Sequence, residues 1–401
     1  MSQRKVEFYR HFLGETEAAS WRKVLDTLFL TLGPQVAAFE SELAQFLVRG
    51  RDEQPPMVVG TNSCSMGLLI TLAALDVGPG DEIITTPMTF ASSTNAIIHR
   101  GATPILVDVD PKTGLIDPQN VKRAITARTK GILPVHLYGQ LADMPRLRSI
   151  ANTHGLFIVE DSAHGVEIER EGLRPGDLGD AAVFSFYATK TMTSGDGGAV
   201  VTRSAKLAER LKRLRNHGVS KAAADRHTCQ SYQHWDLIEL GYKANLTDLD
   251  AAILRPQVPR IMERRDRRFS AAMRYRKAFN ERLPAAILAP SAQGVGFLPE
   301  LRGDSSHHVF AIQVPSELRD PLLVKLGAAG IGTAVNFRAI HTLTYLVERL
   351  HLARGSLPIA EEIGDRTISL PIYPDLQESE QAYVIDSVVQ SLSELVGRAH
   401  D

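Results

Sequence analysis

Residues 184–202 read FSFYATKTMTSGDGGAVVT. The stretch from Ala181 to Phe186, apolar but for Ser185, reads as a strand covered on both faces, and Ala199 to Thr202 repeats it more briefly. Between them lies a polar turn punctuated by Gly195, Gly197 and Gly198, residues that permit sharp reversals and close backbone approach. Lys190 stands in that turn, so the pattern sets one amine at a strand end, beside a loop open to a ligand. A lone loop lysine is ordinarily solvated, and its neighbours in the sequence decide whether this one is different.

Upstream, Leu156 to Val159 is an apolar run ending in Glu160 and Asp161, as a buried parallel strand does when it delivers a carboxylate at its C-terminal edge. Ser185, five positions before Lys190, offers a hydroxyl to a phosphate. After the first strand, TNSCSMGLLITLAAL puts Asn62, Ser63 and Ser65 at a helix start. That start reads either as a helix cap or as a phosphate site built from Ser65 and the first free N–H groups. Phe90 reads by default as core, and beside a flat cofactor as a stacking ring. His164, three residues past Asp161, carries a ring N–H able to reach a phenolic oxygen. An amine for a Schiff base, a carboxylate for a pyridinium nitrogen and hydroxyls for a phosphate are what pyridoxal phosphate (PLP) requires. An ionised Asp161 at a buried strand end is costly without a cation, and a protonated pyridine nitrogen supplies one.

Working outward, seven short β-type runs (Met57 to Gly60, Glu82 to Thr86, Pro104 to Val109, Gly131 to Val135, Leu156 to Glu160, Ala181 to Phe186, Ala199 to Thr202) are mostly separated by helix-length segments. The pattern predicts an α/β fold with a mostly parallel seven-stranded sheet and a ligand at the carboxyl ends of its strands. An arm and helix over 1–30, a large domain over 31–255 and a small α+β domain over 256–401 complete the expected organisation. Within them, Glu15 to Leu30 has helical spacing, a long helix runs from about 256 to Leu283, and polar Ser220 to Trp235 reads as a loop able to cover the site.

With 401 residues, 44% of them apolar, there is ample material for real cores. Lys plus Arg (45) nearly balance Asp plus Glu (46), which argues against a nucleic-acid or anionic-membrane partner. Cys64 and Cys229 lack metal-ligand spacing, and the first twenty residues lack the apolar core of a signal peptide, so a cytoplasmic protein is expected. No Gly-x-Gly-x-x-Gly turn follows the first strand, which argues against a nicotinamide dehydrogenase.

Taken together, GPQVAAFESEL, GPGDEIITTPMTFASS, GATPILVDVD, LPVHLYGQLADM, VEDSAHG, FSFYATK, GDGGAVVT, GYKANLTDLDAA, FRAIHTLTYL and ISLPIYPDL resemble, in this order, the DegT/DnrJ/StrS family of PLP-dependent nucleotide-sugar aminotransferases. The resemblance spans nearly the whole chain and implies the fold type I, aspartate aminotransferase-like architecture. It implies Lys190 as the Schiff-base lysine, Asp161 as partner of the pyridine nitrogen and His164 as neighbour of the phenolic oxygen. Ser65, the Met66 backbone and Ser185 are implied at the phosphate, and Phe90 on the ring. Lys243 or Asn245 is implied to reach the cofactor phosphate of a partner subunit, hence a homodimer with shared sites. Arg338 and His341 match positions near the sugar-nucleotide pocket. The implied reaction is ping-pong transfer from L-glutamate to a UDP- or dTDP-linked 4-keto sugar, with Lys190 as the proton-moving base. GYKAN and GIGTAVNFRAIHTLTY are most similar to the branch that makes UDP-4-amino-4-deoxy-L-arabinose. The alternatives are a non-catalytic PLP-binding regulator and a different PLP-dependent sugar enzyme; among the latter, a sugar 3-dehydratase carries histidine where Lys190 stands.

Overall fold

The computed structural model describes residues 4–220 and 234–398. The expected covering loop and Cys229 lie wholly or largely outside the described residues. Seven strands form one sheet: β1 (Met57–Thr61), β2 (Glu82–Thr85), β3 (Thr103–Leu106), β4 (Thr129–Leu133), β5 (Phe157–Asp161), β6 (Ala181–Ser185) and β7 (Gly198–Thr202). Their spatial order is β1-β7-β6-β5-β4-β2-β3. The neighbours from β3 to β6 pair in parallel, whereas β7 runs antiparallel to both β6 and β1. The physical reason is the connection. β2 reaches β3 through the helix Ser92–His99, and β4 reaches β5 through Met144–His154. β6, by contrast, returns through the Lys190 turn, and a direct reversal yields an antiparallel neighbour.

Alternate residues of each strand serve opposite faces. Val59, Ile83, Val159, Val183 and Val200 pack with Leu68, Ile97 and Leu211 of the helices on one side. Val58, Ala182, Phe184 and Val201 face Phe39 and Leu43 of the helix Pro34–Leu47 on the other. A second layer holds the antiparallel pair β8 (Phe310–Gln313) and β9 (Thr367–Leu370) with the helices Ile261–Arg282, Ser316–Ala328 and Glu378–Arg398. Its core contains Tyr275, Phe279, Phe310, Ile312, Leu322 and Ile368.

Two helices are shorter than expected. The first ends at Val24 rather than Leu30, because Leu30 and Thr31 pair instead with Asp248 and Thr247. The long helix expected from about 256 starts at Ile261; the preceding turn, Arg255–Arg260, contains Pro256 and Pro259, which lack the N–H a regular helix needs. The N-terminal arm joins the second layer: Val6 is buried there and bridges to Ile331.

Candidate active site

The carboxyl ends of β1, β5 and β6 and the start of β7 open on a cavity of about 530 Å³. Lys190, Asp161, His164, Ser185, Ser65 and Phe90 all line it. The turn that presents the lysine is tied to itself. The Lys190 N–H donates to the Tyr187 carbonyl at 2.9 Å, Ser194 N–H to Phe186 at 3.1 Å, and Phe186 N–H to Gly197 at 2.9 Å. Burial pulls the Lys190 amine down from 10.5 to about 8, with Cys64 and Asp161 acting in the opposite direction.

Asp161, the last residue of β5, is only 3% exposed. Its Oδ2 accepts from Ser93 Oγ at 2.7 Å and its Oδ1 from the Ala163 N–H at 3.1 Å. Both donors are neutral, and among the described residues no side-chain cation pairs with it. A buried carboxylate that accepts two hydrogen bonds and makes no salt bridge suits a protonated ring nitrogen.

His164 Nδ1 accepts the Tyr138 N–H at 3.1 Å, which leaves the proton of the neutral ring on Nε2. Burial, then the positive fields of Lys190 and His136, push its pKa well down and keep it neutral. Its ring stacks on Phe337, centroids 5.7 Å apart and planes at 15°. Phe90 is 65% exposed and lines the cavity, so the default reading of core is wrong for this ring.

At the far end, Ser63 caps the helix Cys64–Ala74, its Oγ accepting the Met66 N–H at 3.1 Å. Ser65 is exposed in the first turn, where helix N–H groups lack intrahelical acceptors and favour an anion. Ser185 ends β6 directly opposite Gly198. The lysine, the carboxylate without a salt bridge, the neutral histidine and the hydroxyls beside a helix start fit PLP, which when bound supplies a protonated ring that takes up an electron pair.

Five expected residues do not line this cavity. Met66 has its N–H occupied by Ser63. Lys243 is exposed, and the buried Asn245 donates its amide to Thr31 Oγ1 at 2.6 Å. Arg338 is exposed just past the lining residue Phe337. His341 is fully buried, its Nε2 2.9 Å from Glu361 Oε1. Conversely, sequence reasoning missed His308, Phe337, Ser93 and the arm residues Phe8 and Tyr9. Ser93 stood in the quoted TFASS motif, but nothing local pointed Phe8 or Tyr9 at a site whose carboxylate and lysine lie more than 150 residues away in sequence.

Residues 12–389 match the DegT/DnrJ/EryC1/StrS aminotransferase family. The chain belongs to this family. Among curated relatives, the spore coat polysaccharide biosynthesis protein SpsC of Bacillus subtilis is 35% identical, over 99% of each chain. Among solved structures, S. venezuelae DesV is 35% identical with a TM-score of 0.81 over 93% of each chain. NtdA of Bacillus subtilis, with bound cofactor PMP, is 30% identical with a TM-score of 0.80, covering 94% of this chain and 82% of its own. The protein is therefore a PLP-dependent aminotransferase of fold type I. Among the described residues of this aminotransferase no helix is long and apolar enough to cross a membrane, and no side-chain cluster is suited to a metal.

Proposed function

We propose that this aminotransferase carries an amino group from L-glutamate to the carbonyl carbon of a nucleotide-linked keto sugar, in two half-reactions. The observation that carries the reading is the convergence of Lys190, Asp161 and the hydroxyls of Ser65 and Ser185 on one cavity. Lys190 bonds the cofactor at rest. Once displaced by the donor, its Nζ takes the proton from the donor's α-carbon, and later returns one to the sugar carbon that receives nitrogen. Asp161 would hold the ring nitrogen protonated, His164 would donate through Nε2 to the phenolic oxygen, Phe90 would cover the ring, and Ser65 and Ser185 would hold the phosphate.

A sugar acceptor is supported by SpsC, whose name places that relative in polysaccharide biosynthesis. The similarity of GYKAN and GIGTAVNFRAIHTLTY to the arabinose branch makes a UDP-4-keto-pentose the first acceptor to try. Arg338, exposed next to Phe337, is read as a substrate contact, and His341, held on Glu361, as a residue that orients that wall. Lys243 or Asn245 is assigned to the phosphate of a second subunit, which makes the working unit a cytoplasmic homodimer. Exposure of Lys243 away from its own chain's cavity lining supports this. Boundaries near residues 31 and 256 belong to the same reading.

The test is the absorption spectrum with PLP, before and after L-glutamate, for wild type and Lys190→Ala. A visible band that glutamate bleaches in wild type only, and that a nucleotide-4-keto sugar restores, is expected. A band insensitive to glutamate overturns the donor, and failure of every nucleotide sugar to restore it overturns the acceptor.

A further inference from the structure

His308 is absent from the roles above, yet its Nε2 lies 3.4 Å from Lys190 Nζ, and its ring centroid lies 5.0 Å from that of His164. The cavity lining includes all three. The contact is long for a hydrogen bond. A partner at this distance steadies an amine without trapping it, which a lysine that must alternately bond and release requires.

The anchoring of His308 is elaborate for a side chain with no task. Its backbone N–H donates to Ser306 Oγ at 3.2 Å, and that hydroxyl donates to the His164 carbonyl at 2.5 Å. The Ser306 carbonyl accepts from Arg268 Nε at 2.8 Å. Arg268 also pairs with Glu167, whose other oxygen accepts from Thr191 Oγ1 at 3.1 Å. Thr191 follows Lys190 in the chain. One buried carboxylate therefore tethers, from two sides, the lysine turn and the segment carrying His308. Gly139 and Gly165 make room for Ser306: a Cβ on either would stand 1.8 Å or 2.6 Å from its side chain.

The charges settle the direction of the bond. His308 faces Lys190, His164 and Arg268, and burial together with these groups drives its pKa well down. Lys190 faces Cys64 and Asp161 as well. Beside an ammonium the ring is neutral, so Nε2 accepts and Nδ1 carries the proton.

We propose that His308 is a catalytic partner of Lys190, its Nε2 accepting a hydrogen bond from Nζ and holding the amine in place during the steps in which the lysine is not bonded to the cofactor. The inference rests on Lys190 being the cofactor lysine, which the experiment checks separately. Borohydride reduction of the PLP-loaded protein followed by peptide mass spectrometry locates the bonded lysine. The second measurement is reductive methylation of Lys190 in the apoprotein against pH, for wild type, His308→Gln, His308→Asn and His308→Phe. The third is the rate at which an amino donor displaces the lysine, followed by absorbance.

The label is expected on Lys190. His308→Phe and His308→Asn, which offer no acceptor within reach, are expected to lower the methylation midpoint by about half a pH unit, roughly a threefold change in the protonation equilibrium, because the ammonium loses its acceptor. Both are expected to slow displacement about tenfold, and the longer His308→Gln to restore most of each effect. If His308→Phe does not fold, His308→Asn carries the same expectation. A label on Lys190 with midpoint and rate unchanged in the variants overturns the role of His308 alone. A label on another lysine overturns the assignment of Lys190, and this inference with it.

Discussion

Gly198, which opens β7, lies against Cys64, which opens the helix Cys64–Ala74: a Cβ on Gly198 would stand 2.6 Å from the Cys64 nitrogen. The sheet and the helix start meet there backbone to backbone, with Ser185 directly opposite Gly198 and Ser65 one residue past Cys64. Gly198→Ala is expected to push the helix start off the sheet at a cost of about 1–3 kcal/mol, and to weaken PLP binding because Ser65 and Ser185 move apart. Urea unfolding and a PLP titration measure the two effects. Unaltered PLP affinity would mean that this junction does not form the phosphate end.

Asp161 accepts from two neutral donors and makes no salt bridge among the described residues. Asp161→Asn keeps the shape and removes the charge. Affinity for PLP is expected to drop about a hundredfold, about 3 kcal/mol for a buried pair that loses one partner. Equilibrium dialysis reads this directly, and an unchanged dissociation constant would remove Asp161 from the ring nitrogen.

Glu167 and Arg268 are both almost wholly buried, at 0% and 2% exposure. Arg268→Met strands the carboxylate, and a loss of about 3–5 kcal/mol in unfolding free energy is expected. The double variant Glu167→Gln with Arg268→Met is expected to recover part of it, since no unpaired charge remains. A double variant no more stable than Arg268→Met would show that packing, not charge, dominates.

The N-terminal arm carries Phe8 and Tyr9 into the cavity wall. The Val6 N–H donates to the Gly330 carbonyl at 2.9 Å, and the Gly332 N–H to the Val6 carbonyl at 2.8 Å. A Cβ on Gly330 or Gly332 would meet the arm backbone at 2.4 Å or 2.5 Å. Phe8→Ala combined with Tyr9→Ala is expected to leave the glutamate half-reaction within about twofold and to slow the sugar half-reaction roughly tenfold, as losing about 1.4 kcal/mol of apolar contact would. Single-turnover absorbance separates the halves, and equal losses in both would rule out a sugar-facing wall.

The Lys190 amine, lowered to about 8 by burial, opposes folding in the apoprotein as long as it is charged. Because its folded value lies below the ordinary 10.5, the penalty is full below about pH 8 and fades as pH rises from there toward 10.5. Lys190→Met apoprotein is therefore expected to be more stable than wild type at pH 7, with the difference shrinking across that window. Urea unfolding at several pH values checks the trend, and a difference that grows with pH would contradict it.

Much of the core of the site was legible because each residue is announced by local pattern. Asp161 ends an apolar run, Ser185 interrupts the end of another just before Lys190, and Ser65 sits where a strand gives way to a helix. Buried parallel strands must be apolar until they end, so a polar residue at the boundary is visible in one dimension. Phe90 was visible as a residue but not as an exposed one, since an aromatic ring reads the same in a core and on a cavity wall.

Strand number, the lysine turn and the carboxyl-edge site were thus determined by sequence alone, through hydrophobic periodicity and glycine placement, which act over a few residues. Only the tertiary structure decided that Ser93 would brace Asp161, that His308 would meet Lys190, and that Phe8 and Tyr9 would wall the cavity. Each of those contacts joins segments far apart in the chain. Close packing brings such segments together, and nothing in their local composition records which distant partner they will find.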